Sequence, residues 1–130
     1  MKATSYIKAK QAQWELKKLM LQAISDVDVI VLPTMLAPSW RFSDIAEGSL
    51  NIGGKKVPVL EVAIGVTSWF NITGQPALAV PSGLSKQGVP LSIQFVAKPF
   101  CEAAALRAGA LFESVSDWKY RRPPIVVESY

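Results

Sequence analysis

The segment from Asn71 to Phe100 constrains the fold more than any other part of the chain. Two short apolar runs, Ala77–Pro81 and Leu91–Ala97, are separated by the turn-rich stretch Ser82–Pro90, which contains Gly83, Gly88 and Pro90. Short apolar runs bounded by Gly and Pro read as strands, and a connection of this kind joins neighbouring strands. Pro76 and Pro81 bracket the first run, and proline offers no N–H to a ladder, so this strand is predicted to be short. In the second run Leu91, Ile93, Phe95 and Ala97 alternate with Ser92, Gln94 and Val96. That period of two gives the strand one strongly apolar face, and Gln94 on the other face reads as a buried hydrogen-bonding residue.

The flanking segments complete an α/β arrangement. Thr4 or Ser5 can cap a helix over 5–25. Within it Trp14, Leu16, Leu19, Met20, Ala23 and Ile24 recur at steps of three and four, an apolar stripe that implies a helix lying on something. Residues 28–33 read as a strand in which Val29–Leu32 is apolar without alternation, the pattern of a strand covered on both faces. Residues 34–60 are irregular, anchored by Trp40 and Phe42, with a small hairpin at Leu50–Val57 on a Gly53-Gly54 turn. A second helix, 61–73, has Gly74 as its stop but poor propensity at Gly65, Val66, Thr67 and Ile72, so packing must hold it. The clearest helix spans 101–115, with Ala105, Leu106, Gly109, Leu111, Phe112 and Val115 in helical spacing, and 116–130 forms a tail. The prediction is one unit, a mixed sheet of three to five short strands covered by about three helices.

Composition narrows the function classes. At 130 residues the chain can hold one modest core. No apolar run approaches the ~18–20 residues that span a bilayer, and the Lys- and Gln-rich start does not resemble a secretion signal. The single cysteine, Cys101, excludes an internal disulfide and fits a reducing compartment, so cytoplasm is expected. It precedes a helix N-terminus but has no base beside it, and reads as a buried small residue. The net charge of +4 is scattered along the chain, which argues against nucleic-acid binding. With no histidine and only dispersed carboxylates, neither a zinc site nor a Ser-His or Cys-His dyad is expected, and no cofactor. Ser49–Lys56 misses the spacing of a phosphate loop and lacks its Ser/Thr.

Several segments carry a resemblance when taken in order. Asn71-x-x-Gly74-x-Pro76-Ala77 leads into a strand ending at Pro81, then a Gly88-Val89-Pro90 turn, a strand with internal Gln94, and Pro99-Phe100 before an Ala/Leu-rich helix. Upstream lie Tyr6–Lys18 and Asp28-Val29-Ile30-Val31-Leu32-Pro33-Thr34; downstream lie Asp117-Trp118 and Arg121-Arg122-Pro123-Pro124. From about Ser5 to Pro124 this resembles the C-terminal part of amidase-signature enzymes, the serine amidases that include the glutamyl-tRNA amidotransferase A subunits. The resemblance implies an incomplete end of a larger, helix-covered mixed sheet. It also implies a reaction: hydrolysis of a carboxamide C–N bond by a Ser–cis-Ser–Lys triad through an acyl-serine, with a Gly/Ser-rich loop as oxyanion hole. In the family those parts lie N-terminal to everything matched here. Ser85-Lys86 is the only Ser-Lys neighbour pair, and it sits in a turn. No catalytic residue is therefore assigned to this chain.

What the resemblance leaves for this chain is sheet edge and substrate-pocket wall. In the amidotransferase A subunits, the helix before Asn-x-x-Gly-x-Pro presents an aspartate to the amino group of glutamine. Ile64 occupies that position, which favours apolar or aromatic amides over glutamine. Thr67 and Phe70, one turn along, are the next candidates for pocket lining; plain core packing is the alternative for all three. The implied partners are an N-terminal amidase portion carrying the triad and a small-molecule amide. An unpaired sheet edge predicts association, a homo-oligomer being one form of it. Two alternatives are a non-catalytic subunit that completes a separately encoded amidase half, and a free-standing binding module.

Overall fold

The computed structural model of the chain describes residues 2–121, with the side chain of Lys119 outside that description; Arg122, Pro123 and Pro124 also fall outside it. In chain order the elements are α1 (Ala3–Ala23), β1 (Val29–Pro33), α2 (Phe42–Glu47), β2 (Ser49–Ile52), β3 (Lys55–Pro58), α3 (Val59–Ile64), α4 (Thr67–Thr73), β4 (Ala77–Leu84), β5 (Pro90–Ala97), α5 (Glu102–Ser114) and a short 3-10 turn at Trp118–Tyr120. The main sheet has the order β1-β5-β4, and both of its pairings are antiparallel. The α/β class is as the sequence predicts.

Register fixes the two faces of this sheet. Val31 and Leu78 lie opposite Phe95, and Val80 lies opposite Ile93, on the face that α5 crosses. Phe95 meets Phe112 of α5 at a centroid distance of 6.0 Å and an interplanar angle of 53°, a tilted arrangement favourable for aromatic pairs. Gly109 lets the helix come close: a Cβ there would overlap Leu78 Cδ2 and lie 3.6 Å from Val80 Cγ1. On the other face Gln94 and Val96 are buried, and the Gln94 Nε2 donates to the Pro33 carbonyl at 3.1 Å.

The hydrogen-bond phase identifies which backbone groups face outward. Ala97 N–H donates to Pro76 O, and Thr34 N–H donates to Ser92 O. Since antiparallel partners alternate, Ile30 and Leu32 face β5, while Val29 and Val31 turn their N–H and C=O groups to the open side. On β4 the same phase turns Ala77, Ala79 and Pro81 outward. Pro81 therefore costs the ladder nothing, and β4 runs on to Leu84 through an irregularity at Pro81/Gly83 instead of stopping at Pro81.

Other expectations change in informative ways. The helix predicted over 61–73 is two helices, because the chain breaks at Gly65-Val66. A Cβ at Gly65 would overlap the Glu61 carbonyl oxygen and lie 3.3 Å from Leu36 Cδ1, so glycine admits the loop that follows β1. The irregular region contains α2, where Arg41 N–H donates to Asp44 Oδ2 at 2.6 Å and Gly48 ends the helix at φ 73°. The β2–β3 hairpin turns at Gly53 and Gly54, both at positive φ, which only glycine adopts freely. Neither Thr4 nor Ser5 caps α1; Lys2 precedes the helix and makes no side-chain cap.

The largest departure concerns cover. Helix α1 has no buried residue, and Trp14 and Leu19 of its apolar stripe stay 62% and 60% exposed. Phe42, read as an anchor, is 93% exposed, and Val31 in the strand read as covered on both faces is 52% exposed. Among the described residues the buried apolar core is eight: Ile24, Val62, Phe70, Val80, Phe95, Val96, Ala97 and Ala105. Against it stand twenty-one large apolar residues that are exposed.

Candidate functional site

The three residues predicted to line a pocket flank the α3–α4 junction. Ile64 ends α3 with 45% of its surface exposed. Thr67 opens α4 and its Oγ1 donates to the Ile64 carbonyl at 3.5 Å, bridging the break at Gly65-Val66. Phe70 is 5% exposed, its ring within the chain's own core. Spacing of three and six on one uninterrupted helix would place all three on one face. The break re-phases the second helix and turns Phe70 inward, and Trp69 and Ile72, which periodicity did not single out, are the exposed apolar residues of α4. Gly65 was the available signal, since glycine in a weak helix marks a place to stop.

The end of α4 is tightly tied. Gly74, at φ 80°, donates its N–H to Phe70 O at 2.7 Å; Thr73 Oγ1 donates to Trp69 O at 2.6 Å and bonds to Gln75 Oε1. These groups close the turn, and Asn71 is exposed. Gln13 Nε2 donates to Ile72 O at 2.8 Å and fastens α1 to α4. Beside the end of the sheet, Thr34 and Ser92 hydroxyls pair at 2.8 Å.

None of this forms a catalytic set. The Ser85 hydroxyl accepts from Gln87 N–H and Val89 N–H within its turn, and Ser114 donates to Leu111 O. Ser25 is linked to a lysine only through its backbone, where Lys98 Nζ donates to the carbonyl at 2.7 Å. No cluster of three potential metal ligands is found among the described residues. Cys101 is exposed at the start of α5, not buried as expected. No described helix is long and apolar enough to cross a membrane.

Small antiparallel sheets backed by helices, many exposed apolar side chains and no catalytic set among the described residues characterise this α/β chain. The model of the family described as Amidase matches residues 1–106, and the chain belongs to that family. The chain is 34% identical over 121 residues to the glutamyl-tRNA(Gln) amidotransferase A polypeptide of Methanosarcina barkeri, covering 93% of this chain and 24% of that relative. A crystal structure of an amidase superposes with a TM-score of 0.80 at 22% identity, over 88% of this chain and 26% of that one. A bacterial aryl acylamidase of the amidase-signature family gives a TM-score of 0.73 at 23% identity, over 93% and 26%. The chain thus spans about a quarter of the length of the relatives it matches.

Proposed function

We propose that this chain supplies a sheet edge and part of the substrate-pocket wall of an amidase whose Ser–cis-Ser–Lys triad lies outside these residues, and that the completed cytoplasmic enzyme hydrolyses carboxamides. The observation that carries the reading is the imbalance, among the described residues, between an eight-residue apolar core and twenty-one exposed large apolar residues. Soluble monomers rarely leave so much apolar surface bare. In the completed body Ile64 and Thr67 form the wall and Phe70 supports them from behind. A neutral branched side chain at 64 makes no ion pair with a substrate amine, which suits apolar or aromatic amides.

The test mixes this chain with the part of the archaeal relative outside the matched 24% and measures hydrolysis of an arylamide and of glutamine. Neither polypeptide should act alone, and the mixture should cleave the arylamide. Ile64→Asp in the mixture should shift preference toward glutamine by about tenfold or more. Hydrolysis by this chain alone would overturn the proposal, and an unchanged preference would remove Ile64 from the wall.

A further inference from the structure

We infer that the recess between the loop at 34–38 and the start of β5 takes the aromatic ring of a neutral amide substrate, and that Leu36 joins this recess to the pocket wall at Ile64. The inference rests on the reading that the chain supplies pocket wall to an amidase, and it adds where the apolar end of the substrate lies.

The recess forms where the main sheet ends. Strand β1 stops at Pro33 and β5 starts at Pro90, and Met35, Leu36, Leu91 and Ile93 supply apolar walls between them. The two sides are tied together: Thr34 N–H donates to Ser92 O at 3.3 Å, and the Ser92 hydroxyl donates to Thr34 Oγ1 at 2.8 Å. Pro33, Pro38 and Pro90 also lie on the lining, and each fixes its own φ. A hollow restrained in this way has little freedom left to lose when a ligand enters.

Size and chemistry select the occupant. The recess measures about 280 Å³. An apolar cavity of about 150 Å³ accepts benzene, whereas a whole drug-sized ligand needs about 300–1,000 Å³. One substituted ring therefore fits, and a complete larger substrate does not. Among the described residues the polar side chains on the lining are those of Ser82 and Ser92, and none is charged. The Ser92 hydrogen is already engaged by Thr34. An ion entering here would give up its water without gaining a partner, so a neutral ring is favoured. Two larger hollows, of about 520 Å³ each, flank Trp14 on α1, but lysines line them: Lys10 in one, Lys17 and Lys18 in the other.

Leu36 makes the recess continuous with the wall. Its N–H donates to Val62 O at 3.4 Å, and its Cδ1 lies 3.3 Å from the position a Gly65 Cβ would take. Ile64 lies between those two residues in the chain, so the loop after β1 is fastened where α3 ends. Leu36 and Met35 keep 48% and 39% of their surface open to a ligand. An amide resting on Ile64 and Thr67 can thus extend its ring past Leu36 into the recess.

The first test titrates the isolated chain with 4-fluoroacetanilide and follows binding by fluorine NMR, with far-UV circular dichroism confirming the fold of each variant. Ala37→Phe fills the recess from its lining, and Met35→Asp places a charge in it. These changes act independently, so either one decides the matter if the other fails to fold. Trp14→Ala alters the hollows on α1 instead. Wild type and Trp14→Ala should bind alike, and both recess variants at least tenfold more weakly. Unchanged binding in the recess variants, loss with Trp14→Ala, or no saturable binding by wild type would overturn the assignment. The second test adds the part of the archaeal relative outside the matched segment and compares hydrolysis of an arylamide with that of acetamide. Ala37→Phe should lower the arylamide-to-acetamide ratio of kcat/KM at least tenfold. Hydrolysis of both amides with an unchanged ratio would overturn the subsite and leave the amidase reading standing. Hydrolysis of neither by the wild-type mixture would overturn the amidase reading, while the titration would still decide whether the recess takes a ring.

Discussion

Phe100 offers a test whose sign depends on whether the chain stands alone. It joins β5 to α5 at φ 63°, and it is the only non-glycine at positive φ among the described residues. Its ring is 95% exposed. A left-handed conformation costs a side-chain-bearing residue about 1–2 kcal/mol, and glycine avoids this while losing about 0.5–1 kcal/mol through the greater freedom of its unfolded chain. With almost no ring area to lose, Phe100→Gly should stabilise the isolated chain by about 0.5–1 kcal/mol, and Phe100→Ala should change it by less than about 0.5 kcal/mol. Urea unfolding reads this directly: with a slope of about 2 kcal/mol/M, the glycine variant's midpoint rises by about 0.3–0.5 M. If the complementary portion covers the ring, burying a Phe is worth about 1.5–3 kcal/mol. The same glycine variant should then bind the complementary portion about 10- to 100-fold more weakly. If Phe100→Ala instead destabilised the isolated chain by more than about 1 kcal/mol, the ring would already be packed within it, and the opposite signs expected for the two states would have no basis.

Three further outcomes follow from the same structure. Gln94→Leu removes the buried amide whose Nε2 donates to the carbonyl of exposed Pro33 at 3.1 Å, and should cost about 0.5–1.5 kcal/mol in urea unfolding. Gly109→Val drives a branched side chain into Leu78 and Val80, and should cost about 1–3 kcal/mol and move α5 off the sheet, seen as altered near-UV dichroism. The purified chain alone should associate at micromolar concentration, so light scattering should give a mass well above the 14.1 kDa of one chain.

What the sequence made legible was local. The β4–β5 pair, the Gly53-Gly54 hairpin and α5 depend on period and turn chemistry within a few residues, and the structure places all three close to where the sequence puts them. The extension of β4 past Pro81 was hidden, because a proline's cost depends on whether its nitrogen faces a partner or an open edge, and strand order decides that. The break at Gly65 depends on the approach of Leu36, a neighbour remote in sequence. Helix α2 is a single short element whose Asp44 and Gly48 punctuate it only in hindsight. Exposure was the least legible property: the stripe containing Trp14 and Leu19 predicts a face in contact, yet both residues are exposed in the structure, because periodicity does not say whether a contacting surface belongs to the same stretch of chain. For the candidate site, the alignment of Ile64, Thr67 and Phe70 assumed one helix, and the re-phasing by Gly65 separates Phe70 from the other two.

Whether this chain is an incomplete body is decided by the heat-capacity change on joining it to the complementary amidase portion, which reports buried apolar area independently of activity. If the union buries about 4,000 Å² in all, within the range of obligate interfaces, with roughly 60% of it apolar, titration calorimetry at several temperatures should give about −0.7 kcal/mol/K. A value near zero, or no heat of binding from two folded polypeptides, would mean that the bare apolar surface is not an interface awaiting its other half.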